Sequence, residues 1–318
     1  MTPPPSVVCA GILVADLFVP PLARLPVAGE LLATGDFLMQ PGGCAANTAL
    51  SLARLGVQAN VVGKVGQDHF GDFIAQSLRA KGVATDAITR STSHPTSQTV
   101  ILPVIGEDRR YIHTIGANAD LAVSDIDPSL LFQARVFALG GYLVLPKMEQ
   151  SQVAALFATL HAKGVQTVLD IVVPANGELP KLDAVRQILP YVDVFMPNDH
   201  EAELLTGEAD AHKQAEIFLQ AGCQVAIITK GSRGALLMSA NETHEMPAVA
   251  LPFVDGSGAG DAFAAGFIVG LLEQWPLAQA LRFASVIGAS ACTQLGCTDG
   301  IFTRAEAEAF LQAHPSGA

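Results

Sequence analysis

The stretch VDGSGAGDAFAAGF, residues 254–267, sets glycines at 256, 258 and 260 directly before Asp261, and an apolar helical run follows without a break. A helix starting near Ala259 opens with backbone N–H groups that have no partner inside the helix. Glycines there remove the Cβ atoms that would keep an anion away, and the helix dipole favours negative charge at that end. Asp261 is welcome there simply as a carboxylate near a positive helix end. It also has a chemical use: it can take a proton from an attacking hydroxyl while the N–H groups of Gly258, Ala259 and Gly260 hold the charge of the group being transferred. Alternating glycines alone fit tight helix packing equally well. No G-x-x-x-x-G-K-[ST] occurs, which excludes a P-loop, and no G-x-G-x-x-G follows the first apolar run, CAGILVAD, where a dinucleotide fingerprint belongs.

Such a helix start needs a scaffold. Short β-branched runs alternate with helical patterns: SVVCAGILV, CAANTALSLARLG, VQANVVGKVG and HFGDFIAQSLRAKG come in succession, and RVFALGGYLVL, VQTVLDIVV, VDVFMPN and VAIITKG resume the rhythm. This predicts an α/β fold with a mostly parallel sheet covered by helices, its strands apolar throughout because both faces are buried. Segments 17–39 and 96–115 hold extended runs with no helix between them, and are read as hairpins turning near 27–29 and 106–108. They predict a small β lid over the active site, the alternative being two unrelated excursions. The core is expected over residues 1–13, 42–93 and 120–318, and the lid over 14–41 and 94–119.

Bulk properties narrow the function. With 318 residues, half of them apolar, the chain has room for one large domain and an appendage. A formal charge of −12, with no basic run longer than Arg109-Arg110, argues against nucleic acid. Five cysteines, none in C-x-x-C spacing, argue against a disulfide framework or a zinc site and suit a reducing cytoplasm. The N-terminal apolar stretch has no preceding lysine or arginine and is broken by Asp16, so it is read as a first strand. The uncharged run 262–272 is too short to span a membrane.

DGSGAGDAFAAGF resembles the C-terminal signature of the ribokinase (PfkB) family of carbohydrate kinases, in which an aspartate, a threonine, a variable residue and Gly-Ala-Gly-Asp form the anion hole and the catalytic base. GGCAANTA, residues 42–49, with Gly56 and Gly66 behind it, resembles the family's N-terminal signature. Two signatures about 200 residues apart and in the right order make chance agreement improbable. The resemblance implies a ribokinase-like, doubly wound fold. It also implies transfer of the γ-phosphoryl group of ATP to a sugar hydroxyl, with Asp261 as base and Gly258, Ala259 and Gly260 as anion hole.

The same resemblance assigns further residues. Asp16, Gly42, Gly43 and Asn47 would meet the sugar, where otherwise Asp16 is a strand-end turn residue and Asn47 a polar residue of a helix's first turn. PNDHE matches the family's Asn-x-x-Glu, so Asn198 and Glu201 would organise Mg2+ and phosphates through water. In TKGSRG, Thr229 and Gly231 would lie near the ATP phosphates with Ser257 and Gly258, while Lys230 either adds charge or is a solvated loop lysine. Gly256 stands where the family has threonine, which loosens the loop, and Ser285 where many relatives place an asparagine near adenine. A monovalent cation, K+, would sit between Asp255, Ser257 and the loop near Gly296. Asp170, where some relatives show Asp-x-Asn, would reach the cleft.

For the substrate, a free pentose or hexose comes first, a nucleoside second and a phosphorylated hexose third. In DRRYIHTIGANADL, alternation puts Arg110 and Ile112 on one face and Arg109, Tyr111 and His113 on the other. An inward arginine would suit a sugar phosphate; the plainer reading is the polar outer face of an edge hairpin. From other classes, a dehydrogenase lacks its glycine fingerprint, and a non-catalytic sugar sensor has no need of Asp261. The lid runs FVPPL and VILPV predict a homodimer through the lids.

Overall fold

The structure is a computed structural model that describes residues 6–106, 110–174 and 179–314. Its strands are β1 (Val7–Gly11), β2 (Val14–Phe18), β3 (Leu38–Gly42), β4 (Ala59–Val65), β5 (Ile88–Arg90), β6 (Gln98–Leu102), β7 (Arg110–Thr114), β8 (Val136–Gly140), β9 (Gln166–Leu169), β10 (Val194–Phe195), β11 (Val225–Thr229), β12 (Ala235–Ser239) and β13 (Thr243–Met246). The helices are α1 (Cys44–Arg54), α2 (His69–Ala80), α3 (Pro128–Leu131), α4 (Gln150–Ala162), α5 (Asp199–Thr206), α6 (Ala211–Gln220), α7 (Ala259–Leu272), α8 (Leu277–Ala291) and α9 (Arg304–Ala313).

The large sheet has the order β13-β12-β11-β10-β9-β8-β1-β4-β5. Every pair from β11 to β5 is parallel, and β12 and β13 extend one edge antiparallel. Val7 and Cys9 of β1 join one core, with α1, α7 and α8, while Val8 and Ala10 join another, with α4, α5 and α6. Burial on both faces explains why these strands carry no polar alternation. The chain runs from β1 to β4 and β5 on one side, then to β8 and beyond on the other. At such a reversal, ligands bind off the carboxyl ends of the strands.

SVVCAGILV, expected as one strand, is divided between two sheets. After β1 the main chain at Leu13 is met by a side chain instead of a strand: Leu13 N–H donates to Asn118 Oδ1 and Asn118 Nδ2 donates to Leu13 O, both at 3.0 Å. The fully buried amide satisfies the turn-off, and β2 starts the second sheet. That sheet has the order β3-β2-β6-β7. Both expected hairpins lie in it, joined by the parallel pair β2–β6. The first turns where Glu30 N–H donates to Val27 O at 3.0 Å. The expected turn at 106–108 and Arg109 fall partly or wholly outside the described residues.

Candidate active site

Asp170 follows β9, Asn198 lies beyond β10 and Thr229 ends β11, so three parallel strands deliver these residues to the same edge of the sheet. The starts of α1 and α7 reach the same place. The thiol of Cys44 and carboxylate oxygens of Asp170 and Asp261 lie within 4.8 Å of one another. Asn47, one turn along α1, donates from Nδ2 to Asp261 Oδ2 at 2.8 Å. Its Oδ1 is buried and, among the described residues, has no hydrogen-bond partner. An acceptor in that state, beside a carboxylate, is what an incoming hydroxyl requires.

Burial pushes the Asp261 carboxyl up to about 6, against hydrogen bonds from Asn47 and Cys44 that pull it down. Burial also raises Asp170 well above the usual carboxylate range, and the charges of Glu201 and Asp261 add to the rise. Glu201 moves up as well, chiefly by burial. Cys44, buried beside these carboxylates, is held as a neutral thiol that donates to them. Among the described residues, no lysine or arginine is a leading cause of the shifts at Asp170, Glu201 or Asp261. Carboxylate oxygens that repel one another are a donor set suited to a hard divalent cation such as Mg2+.

The glycines divide by role. Gly258 precedes α7 at φ 73°, and a Cβ there would meet Cys297 O at 2.4 Å. Its absent side chain answers to loop packing. A Cβ at Gly260, in the first turn of α7, would meet nothing within 4 Å among the described residues. The Ala259 N–H has a 3.4 Å bond to Gly256 O, and no side chain caps the helix. Asp255 accepts from Ser257 N–H at 3.2 Å, Ser257 Oγ at 3.1 Å and Gly296 N–H at 3.3 Å, which brings the three expected cation-site residues together.

Above the helix start lies the small sheet. Cross-strand register sets Gln40, Asp16, Thr99 and His113 in one row over four strands. Asp16 is buried and pushed up to about 6 by that burial, with hydrogen bonds from Thr99 and Cys297 opposing the rise. A Cβ at Gly42 would sit 1.8 Å from Asp16 Oδ2. The glycine leaves the room that the Asp16 carboxylate occupies. Gly43 is likewise held against backbone, at Ile12 O. His113 bonds Thr99 Oγ1 at 3.0 Å and shares the Asp16 face, so alternation places Arg110 on the opposite face.

On the other side of the cleft, Asn198 and Glu201 cap one another: Glu201 N–H donates to Asn198 Oδ1 and Asn198 N–H to Glu201 Oε2, both at 2.9 Å. Asn198 also bridges to Thr229. Gly231 starts a short turn at φ 55° with open space where a Cβ would be. Lys230 is neither solvated nor unpaired, since its mostly buried side chain meets Glu245 at 3.3 Å. Ser285 Oγ is turned onto its own helix, donating to Leu281 O at 2.9 Å. Sequence reasoning passed over Cys44, Gln40, Thr99 and Cys297. Cys44 was visible between Gly43 and Asn47, but the other three owe their place to register and a distant loop.

A basic carboxyl held at the start of a bare helix, with a buried carboxylate facing it from a second sheet, defines a phosphotransferase that acts on an alcohol group. Residues 4–304 match the model of the pfkB family carbohydrate kinases, and the chain belongs to that family. It is 31% identical over 295 residues to the ribokinase of Bacillus subtilis, covering 91% of this chain and 93% of that one. Its fold is similar to that of Arabidopsis thaliana ribokinase complexed with ribose and ATP (TM-score 0.83, 24% identity, 97% and 99% of the chains). It is also similar to that of a putative ribokinase II from E. coli in complex with ATP and Mg2+ (TM-score 0.81, 24% identity, 98% and 100%).

Proposed function

We propose that the protein transfers the γ-phosphoryl group of ATP to a hydroxyl of a free pentose or hexose. The Asn47–Asp261 pair carries this reading: the base is held at 2.8 Å and the amide keeps a buried acceptor for a substrate hydroxyl. The hydroxyl proton passes to Asp261 as the oxygen attacks phosphorus. N–H groups of Gly258, Ala259 and Gly260 receive the transferring oxygens, and Asp16 accepts hydrogen bonds from further hydroxyls of the sugar. Mg2+ bound with the nucleotide neutralises triphosphate charge. Asp170 and Glu201 would hold it, largely through water, with Asn198 fixing Glu201. Thr229, Gly231 and Ser257 form the nucleotide side, and Ser285 stands near the base.

By register Arg110 lies on the face opposite the Asp16 row, so it is not an arginine that would meet a phosphate on the sugar. Residues 14–41 and 94–119 are the lid that closes on the sugar and excludes water. K+ between the Asp255–Ser257 segment and Gly296 would steady the loop, a homodimer forms through the lids, and the reducing cytoplasm suits five unpaired cysteines. Among the described residues no helix is long and apolar enough to cross a membrane.

The test is ADP release with ATP and Mg2+ against free sugars, nucleosides and sugar phosphates, comparing wild type with Asp261→Asn. Turnover of a pentose or hexose, lost in the variant, supports the proposal. Turnover confined to nucleosides or sugar phosphates reassigns the substrate, and binding of a sugar without any ADP release makes the protein a sensor.

A further inference from the structure

A second cavity, of about 500 Å³, lies behind the loop that serves the reaction site. Arg54 at the end of α1, Lys81 just after α2, and Thr298, Asp299 and Thr303 before α9 line it, with Leu50. Its size is that of a small-molecule pocket. Its lining carries two cations, Arg54 and Lys81, and one carboxylate, Asp299. Arg54 is fixed there by donation from Nε to Ile301 O at 3.2 Å. Lys81 meets Asp299 at 3.4 Å, with side chains 48% and 39% exposed. A pair that open to water is weak, so an incoming anion can take over the ammonium. Arg54 and Lys81 supply donors for a phosphate, and Thr298 offers a hydroxyl to a polyol, whereas the Thr303 hydroxyl is held by Glu306 at 2.8 Å.

The same carboxylate looks toward the reaction site. Asp299 Oδ2 accepts from Gln40 Nε2 at 2.5 Å, and Gln40 Oε1 accepts from Cys297 N–H at 3.3 Å. The Cys297 thiol lies 3.7 Å from Asp16 Oδ2, and its carbonyl fills the space beside Gly258. An occupant that displaces Lys81 from Asp299 therefore changes the partner of a residue joined to both the sugar row and the anion-hole loop.

We propose that this cavity binds a small sugar phosphate, and that its occupancy alters affinity for the sugar through Asp299 and Gln40. The binding claim is independent of the kinase reading, whereas the coupling claim rests on it.

The probe is ribose 5-phosphate, titrated calorimetrically into an Asp16→Asn background saturated with Mg2+ and a non-hydrolysable ATP analogue, so that the reaction site is unavailable. One saturable site is expected, weakened at least tenfold by Arg54→Met with Lys81→Met and retained in Lys81→Arg. Asp299→Asn, which removes the competing carboxylate, should tighten binding about twofold to fivefold. No saturable heat, or binding unchanged in the double variant, overturns the site. Arg54, Lys81 and Asp299 are exposed at the surface, and thermal melts confirm folding of each variant in the Asp16→Asn background. For the coupling, ribose 5-phosphate should shift the sugar KM in wild type but not in the Arg54→Met, Lys81→Met protein. A shift of equal size in both places the effect at the reaction site and overturns the coupling alone.

Discussion

Asp261 and Asp16 have carboxyls raised to similar values by burial, and the two should respond to pH in different experiments. As the base of the proposed transfer, Asp261 acts only when ionised, so kcat/KM should fall about tenfold per pH unit below pH ~6, a limb belonging to the coupled set that includes Asp170 and Glu201. Asp261→Asn should lower kcat by roughly 10²–10⁴-fold with the fold retained. A rate flat from pH 8 to pH 5 would remove Asp261 as base. For Asp16 the folded pKa, about 6, exceeds the ordinary 3.8, so the native state binds more protons than the unfolded state between these values. Its contribution to stability is present below pH ~4 and is lost as pH rises through ~6. At pH 7 the buried carboxylate therefore costs about 2–3 kcal/mol. Asp16→Asn should raise Tm at pH 7 by a few degrees, with the gain shrinking toward pH 4, while abolishing sugar binding. A lower Tm at pH 7 would show that the bonds from Thr99 and Cys297 outweigh the burial.

At the scale of elements, the start of α7 separates packing from chemistry. Gly258→Ala forces a Cβ against Cys297 O and strains a left-handed backbone, and should cost about 1–3 kcal/mol in urea unfolding. Gly260→Ala meets nothing in the folded protein and gains helix propensity, so stability should hold or rise by up to about 1 kcal/mol. In the proposed site the added methyl crowds the transferring group at the first turn of α7, and kcat should fall at least tenfold. Full activity in Gly260→Ala would place the transferring group elsewhere. This division shows what a sequence conveys. The motif spacing exposed Asp261 and Asn47, and the β/α rhythm exposed the parallel sheet, because both are local patterns. The close approaches were hidden: Gly42 makes room for Asp16, Gly258 for Cys297, and Asn118 completes the turn at Leu13, each through a partner far along the chain. Gln40 and Thr99 join Asp16 by strand register, which a single sequence leaves unset.

For the whole molecule, the proposed dimer is tested at the exposed side chains of the small sheet and its loops. Its inner face carries the row from Gln40 to His113 and packs Phe18 and Ile101 against Cys297. Elsewhere it leaves large apolar side chains in water: Leu31 is 96% exposed, Val27 and Ile105 68% each, and Ile112 64%. Concentration of such residues in lid segments is unusual for a monomer, and a second copy of the lid offers a matching surface under two-fold symmetry. Sedimentation at micromolar concentration should therefore give twice the 33.1 kDa chain mass. Leu31→Glu with Ile105→Glu should shift the protein toward monomer. Because the lid holds Asp16, loss of its partner should raise the sugar KM more than it lowers kcat. A wild-type monomer at these concentrations would sink the assembly. A dimer unaffected by the two substitutions would put the interface on another surface and leave the exposed lid side chains without a partner.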